Sequence, residues 1–313
     1  MLNLSIVIPL YNKAQSIKQT IECIQVQTYQ NWEIVIVDGY SQDGSLEIVQ
    51  DLAAADERIH IHMQENRRGV TPARNESVMH AHHEHIVFMD ADDYWENTYL
   101  ERMVALINDY PECGIWGIAH GTMVGDKKVP DQRFASPYRG ILPESPWAEW
   151  GCPFWTSATA ISKTAFEGVG GFDNRIIYGE DIDLWWRIML NYRAALDSTE
   201  VLSYYRVDAE NRACNHVFPL KLHIPYYIEK YQQYREQNAD FRRFYDLQML
   251  YRLYPYCFEK QYRIDVKRIV KQIDFSLQKK SMRIRFACPR LYQWYMYAKG
   301  YRAQQMDAYS GGY

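Results

Sequence analysis

The feature that most constrains this chain is a rhythm in its first half: short β-branched apolar runs alternate with helical patterns, and each run stops at polar residues. Ser5-Ile6-Val7-Ile8 reads as a strand ended by Pro9, after which Ile17, Ile21 and Ile24 recur at helical spacing. Glu33 to Val37 is a second strand, apolar almost throughout, as expected of one covered on both faces. It ends at Asp38-Gly39, and Ser45 opens another helix. Ile59-His60-Ile61 predicts a third strand, a helix starts near Pro72, and Ile86 to Met89 predicts a fourth strand ending at Asp90. Such alternation specifies an α/β fold with a Rossmann-like, mostly parallel sheet.

Further on, Asn97 is expected to cap a helix that lines up Leu100, Met103, Val104 and Ile107. Residues 120–150 predict a hairpin and then a Pro/Trp-rich loop, and Thr156 to Ser162 returns as a strand. A helix over 180–191 buries Ile182, Trp185, Trp186 and Met189. After about residue 215 strand signals stop, and Val266, Ile269, Val270, Ile273 and Leu277 form an apolar stripe. Charge divides the chain at the same place. Residues 216–313 hold 18 Lys+Arg against 8 Asp+Glu, a net of +10, so with −4 overall the rest carries −14. Two regions are therefore expected: 1–215, and a basic, Tyr-rich helical extension over 216–313.

No apolar run approaches the ~20 residues of a membrane-spanning helix. The start, Met1-Leu2-Asn3-Leu4, lacks a basic leader region, so no signal peptide is expected. The six cysteines show no CxxC pairing, which fits reduced thiols and a cytoplasmic setting. Walker loops, GxGxxG, Ser/His/Asp orders and nucleic-acid-binding motifs are all missing, and no nucleic-acid partner is expected.

Four polar clusters fall just after strand ends: Tyr11-Asn12-Lys13, Asp38, Arg67 to Asn75, and Asp90-Ala91-Asp92-Asp93. In open α/β sheets that edge binds ligands. Three carboxylates in four residues repel one another unless a cation compensates, and oxygen ligands suit Mg²⁺ or Mn²⁺; the plainer alternative is an acidic loop capping the next helix. Arg74 could grip phosphate oxygens or pair with a surface carboxylate. Tyr11 could stack on a base with Asp38 accepting from its imide N–H, or simply pack. Glu180 and Asp181 sit in the first turn of their helix, where the dipole favours acids, yet such a carboxylate can also deprotonate an acceptor hydroxyl. Trp155 and Trp185 are candidates for a sugar-stacking wall on the acceptor side, although the spacing of Trp185 suits a core. The run His80, His82, His83, His85 reads as structural, histidines suiting the negative end of a helix. His216 is a weak candidate metal ligand.

Six stretches in order resemble the family 2 glycosyltransferases of GT-A fold, over roughly residues 3–210. They are Ser5 to Asn12, Val37 to Ser45, Ala73-Arg74-Asn75, Met89 to Asp93, Gly170 to Asp173 and Gly179 to Trp185. The resemblance implies an inverting transfer from a nucleotide-sugar donor, UDP by default, to a glycan or lipid-linked acceptor of a bacterial surface polysaccharide. It implies that Pro9, Tyr11, Asn12 and Asp38 hold the nucleoside, and that Arg74, and more weakly Arg206, reach the diphosphate. Asp90 and Asp92 form the metal motif for Mn²⁺ or Mg²⁺, with Asp92 as direct ligand, Ala91 at the nucleotide sugar and Asp93 on the donor sugar or metal. Asp181 is the implied general base. One departure stands out: relatives read Asp-Asp-Gly-Ser after the second strand, whereas Gly39 and Tyr40 follow Asp38 here. The basic tail, with Arg283, Arg285, Arg290, Trp294 and Tyr295, would suit an anionic membrane surface, or a helical cap or dimer interface. A nucleotidyltransferase and a catalytically silent nucleotide-sugar binding subunit are the alternative readings.

Overall fold

The computed structural model describes residues 2–209 and 218–298. Two compact units emerge: one from residues before 145 and from 153 up to the 210–217 stretch, the other from 145–152 and 218 onward. Among the described residues no helix is long and apolar enough to cross a membrane.

The first unit is built on one ten-stranded sheet. Its strands are β1 (Leu4–Leu10), β2 (Trp32–Asp38), β3 (Ile59–Met63), β4 (His85–Phe88), β5 (Tyr94–Trp95), β6 (Cys113–Val124), β7 (Lys127–Pro130), β8 (Arg139–Ile141), β9 (Thr159–Ser162) and β10 (Arg193–Arg206). The main order is β3-β2-β1-β4-β9-β6-β10-β5, with β7 hairpinned onto β6 and β8 on β10. β3, β2, β1 and β4 run parallel, β9 reverses direction between β4 and β6, and β6 and β10 are parallel to each other. Helices α1 (Ile17–Gln25), α2 (Ser45–Ala55), α3 (Val70–His80), α4 (Tyr99–Asp109), α5 (Lys163–Gly168) and α6 (Glu180–Asn191) connect the strands.

Coverage on both faces explains the composition of β1 and β2, whose Ile6, Val7, Ile8, Ile34, Val35, Ile36 and Val37 are fully buried. Pro9 does not end β1, which runs on to Leu10. A proline is tolerated there because β4 pairs only with Leu4–Val7. On α6 the expected stripe holds for Ile182, Trp185 and Trp186, which are buried, whereas Met189 is only half-buried; Trp185 meets Phe88 edge-on at 5.4 Å. The turn before α4 uses Thr98 rather than Asn97 as its flanking residue. Thr156–Ala158 is a 3₁₀ turn, so the strand begins only at Thr159.

The two longest strands, β6 and β10, carry an interrupted strand signature. β6 is interrupted by glycines because neighbours approach too closely for any side chain. A Cβ on Gly114 would lie 2.7 Å from the Cβ of Tyr192, and one on Gly117 would lie 2.8 Å from the Phe154 ring. β10 has a polar centre, Asp197-Ser198-Thr199-Glu200, at which its register against β6 shifts.

The second unit is helical: α7 (Gln232–Gln237), α8 (Ala239–Leu253), α9 (Arg263–Val270), α10 (Lys280–Ala287) and α11 (Pro289–Ala298) are joined by 3₁₀ turns. Its core is aromatic, with Tyr231, Phe241 and Tyr245 fully buried and Trp147 meeting Phe241 at 4.7 Å. Residues 145–152 of the Pro/Trp-rich loop thus pack here. The stripe over 266–277 is broken after Val270 and buries Ile269 and Ile273. Arg285, expected on a membrane-facing surface, is instead buried, its guanidinium 3.6 Å over the Tyr254 ring. Arg285 shares the buried face of α10 with Met282.

Gly121 gives a direct test of the β6–β7 hairpin, since an added Cβ would stand 2.5 Å from the Val129 carbonyl oxygen. Gly121→Ala should cost about 1–3 kcal/mol, as overpacking does, read as a lower urea midpoint with an unchanged slope. An unchanged midpoint would show that the hairpin is not held this close.

Candidate active site

The polar clusters meet at the carboxyl edge of the parallel strands, where Leu10 lies opposite Asp38 and Asp38 opposite Met63. Two non-glycine residues, Asn12 (φ 51°) and Tyr40 (φ 66°), hold left-handed backbone there. Hydrogen bonds between the loops after β1 and β2 keep them in place. Asn12 N donates to Ser41 Oγ (3.0 Å), Gln42 N to Asn12 Oδ1 (2.8 Å) and Lys13 N to Ser45 Oγ (2.7 Å). Tyr11 is not packed but 57% exposed. Asp38 departs from its expected role. It is fully buried, and its two oxygens accept from Ser41 Oγ (2.6 Å) and Ser41 N (2.9 Å). Gly39 N donates to the Leu10 carbonyl and Tyr40 turns left-handed, which folds Ser41 back onto the carboxylate.

The acid loop separates its three carboxylates. Asp90 pairs with Arg74 Nη2 at 2.6 Å and keeps 27% of its side chain exposed. Asp92 pairs with Lys13 Nζ at 2.7 Å. Asp93 turns inward and is 1% exposed. Its oxygens accept from Ser157 Oγ (2.5 Å) and Arg206 N (3.3 Å). Asp93, expected on the donor sugar or metal, is therefore an internal brace: β5 begins at the next residue and pairs with β10, which carries Asp93 under the sheet edge. Ser157 Oγ also accepts from Asp90 N (3.0 Å), while Thr20 Oγ1 lies 3.2 Å from the Ala91 carbonyl and 3.0 Å from that of Asp93. Burial pushes the Asp92 carboxyl up, and Asp90 adds to this while Lys13 opposes it. Burial and then the charges of Asp92 and Asp90 hold Asp93 well above the carboxylate range. Asp90 and Asp92 present hard oxygen donors at the sheet edge, and in donor type they fit a divalent cation of the Mg²⁺ or Mn²⁺ type.

Arg74 does pair with carboxylates, but inside the site rather than on the surface. With a 5% exposed side chain it bridges Asp90 and Glu180, its Nη1 lying 2.8 Å from Glu180 Oε1. Its Nε is buried with no hydrogen-bond partner. Burial opposes its charge, but Asp90, Glu180 and Asp181 outweigh that and hold it protonated. Burial pushes the Glu180 carboxyl from 4.5 up to about 7; Asp181 adds to the shift and Arg74 offsets part of it. Asp181 is half-buried and accepts from Thr156 Oγ1 at 3.3 Å.

Trp155 is half-buried, between His120 (ring centroids 5.7 Å apart) and Tyr205 (5.1 Å). Trp185, expected on the acceptor side, is fully buried against Phe88 and Phe172, because its position on α6 points to the sheet. Arg206 reaches Gln19 Oε1 at 2.5 Å. His216 lies outside the described residues. Sequence reasoning gave no role to Lys13, Thr20, Thr156 or Ser157. Lys13 was visible in the polar triplet after β1, whereas Thr156 and Ser157 were hidden inside a run that reads as strand.

A sequence profile described as Glycosyl transferase family 2 matches residues 5–169. The Bacillus subtilis protein TuaG, named for a glycosyltransferase role in teichuronic acid biosynthesis, is 35% identical over 133 residues, which are 42% of this chain and 52% of that protein. The chain thus spans about half of that relative. The Escherichia coli UDP-Glc:α-D-GlcNAc-diphosphoundecaprenol β-1,3-glucosyltransferase WfgD is 27% identical over 69% of this chain and 82% of its own length. Among solved structures, Staphylococcus aureus TarS in complex with UDP-GlcNAc superposes with a TM-score of 0.66 at 17% identity, covering 99% of this chain and 90% of the TarS chain. A Pyrobaculum calidifontis mannosyltransferase with GDP-Man and Mn²⁺ gives 0.58 at 18% identity, over 98% of this chain and 84% of its own. At these identities the structures establish the fold, which is GT-A.

Glu180 gives the site a pH signature. Between pH 4.5 and about 7 the folded chain keeps a proton that the unfolded chain has released. Its contribution to stability therefore falls as pH rises through that window. Glu180→Gln should remove this decline, so the stability of the variant relative to wild type should increase from pH 5 to pH 8 in urea titrations. A difference independent of pH would contradict the shift.

Proposed function

The chain belongs to glycosyl transferase family 2, and we propose that it is a metal-dependent, inverting transferase moving a sugar from a nucleotide-diphosphate donor to a hydroxyl of a glycan or lipid-linked acceptor. The observation that carries this reading is the convergence of Asp90, Asp92, Arg74, Glu180 and Asp181 on one sheet edge, with the hard oxygen donors of Asp90 and Asp92 where a donor-bound cation would sit. Mn²⁺ or Mg²⁺ held by Asp90 and Asp92 would neutralise charge on the departing diphosphate.

The chain's own residues supply the rest. Tyr11 offers an exposed ring for the base, while Asn12 and Asp38 hold the shape of the loops beside it. Lys13 and Arg74 bring positive charge to the phosphate side. Asp181 takes the proton of the acceptor hydroxyl as its oxygen bonds to the anomeric carbon and the carbon–oxygen bond to the diphosphate breaks. Attack opposite the leaving group turns an α-linked donor into a β-glycoside. Glu180 acts through Arg74 and is a positioning residue. Trp155 faces the acceptor side. UDP is the donor nucleotide we favour, in line with the donors named for WfgD and TarS.

Asp181→Asn should keep metal-dependent donor binding and lower turnover by ~10²–10⁴, read as release of nucleoside diphosphate with acceptor present. Asp92→Ala should lose both. Normal transfer by Asp181→Asn would overturn the base assignment.

We further propose peripheral contact with an anionic membrane through α10 and α11, which expose Arg283, Ile284, Arg290, Leu291, Trp294 and Tyr295. Full-length protein should co-sediment with anionic vesicles at low salt, and Leu291→Ala with Trp294→Ala should weaken this. Equal recovery with neutral vesicles, or no binding, would contradict it.

A further inference from the structure

The amino edge of the sheet gathers a second set of ligand-type side chains, away from the acid loop. Glu33 lies near the start of β2, and Asp38 is five residues further along, roughly 16 Å at the rise of a strand. His82 lies between the end of α3 and the start of β4. His60 and His62 project from one face of the edge strand β3, two residues apart.

Glu33 is set up as a ligand more than as a surface acid. It is buried, and its Oε1 accepts from Ser5 Oγ (2.5 Å) and from His82 N (2.7 Å). Ser5 Oγ in turn accepts from His83 N at 3.0 Å. Held this way, Glu33 turns Oε2 toward two imidazoles, 2.7 Å from His82 Nδ1 and 3.5 Å from His60 Nε2. One ligand atom from each of the three residues lies within 4.8 Å of the others, the only such set of His, Cys, Asp or Glu found among the described residues. Beside it, His62 and His80 stack with ring centroids 3.8 Å apart and planes 6° from parallel.

We propose that Glu33, His60 and His82 form a second metal site, separate from the donor site, for an imidazole-preferring first-row ion such as Zn²⁺. Two imidazoles and one carboxylate suit zinc, whereas Mg²⁺ prefers oxygen alone. A tetrahedral ion at about 2.0–2.1 Å from each ligand needs ligand atoms about 3.3 Å apart. The His60–Glu33 spacing of 3.5 Å already meets this, and His82, with a 69% exposed side chain, can open from 2.7 Å. Ser5 Oγ and His82 N provide the outer-shell hydrogen bonds that orient a ligating carboxylate. A fourth position is left for water. Bound there, the ion would join edge strand β3 to β2 and to the α3–β4 corner, and would stabilise the folded chain by mass action.

Full-length protein stripped with a chelator should take up one equivalent of Zn²⁺ against a competing indicator dye, and Co²⁺ in its place should give visible absorption. His60→Ala and His82→Ala, or the Gln versions if these fold poorly, should each weaken uptake by more than the about 10–100-fold that loss of an outer-shell partner costs. Asp92→Ala should retain both the uptake and the zinc-dependent rise in Tm. The proposal is overturned if wild type takes up no stoichiometric zinc. It also fails if folded His60 and His82 variants bind like wild type, or if Asp92→Ala abolishes the uptake.

Discussion

The double ion pair of Arg74 is what the rest of the site depends on. Three distant parts of the chain meet at it: the first turns of α3, the acid loop after β4, and the start of α6. Asp90 and Glu180 would repel each other without it, and neither could sit at the same sheet edge beside Asp181. Removing one partner of a buried pair leaves an uncompensated charge, at a cost of about 3–5 kcal/mol. The pair thus fixes how far the proposed base stands from the proposed metal carboxylates. Arg74 is in this sense the hinge of the charge balance, and its own reach to a phosphate would have to be shared with these two acids.

Charge is divided within the acid loop itself. Asp93 is drawn inward by Ser157 and the Arg206 backbone, Asp92 is matched by Lys13, and Asp90 alone keeps substantial exposure while held by Arg74. Neighbouring acids in a short loop take on different work through different partners. Burial combined with mutual repulsion leaves Asp92 hungry for positive charge, which is the condition a cation relieves.

Much of this was legible in the sequence because β1, β2 and β4 are buried on both faces and read as largely apolar runs. The clusters at their ends could then be placed on one edge by topology alone. What stayed hidden follows from packing. The glycines of β6 answer to the Tyr192 and Phe154 side chains pressed against them, and no local propensity encodes that. Asp38 could be named but not oriented, since its two oxygens are claimed by Ser41 through a turn that depends on the backbone of Tyr40. Arg285 was assigned an outward role by residue type and Trp185 was read both as core and as an acceptor-side wall; their helix faces turn both inward. The pairing of His82 with Glu33 was likewise not visible, because Glu33 comes from a strand distant in sequence.

The central claim is that Asp90 and Asp92 share a divalent cation with the diphosphate of the donor. Crystals grown with Mn²⁺ and a nucleotide-sugar analogue, with diffraction recorded at the manganese edge, test it most directly. The account predicts an anomalous peak in contact with both carboxylates and the diphosphate. A diphosphate bound without manganese, with Lys13 still closed on Asp92, would contradict it.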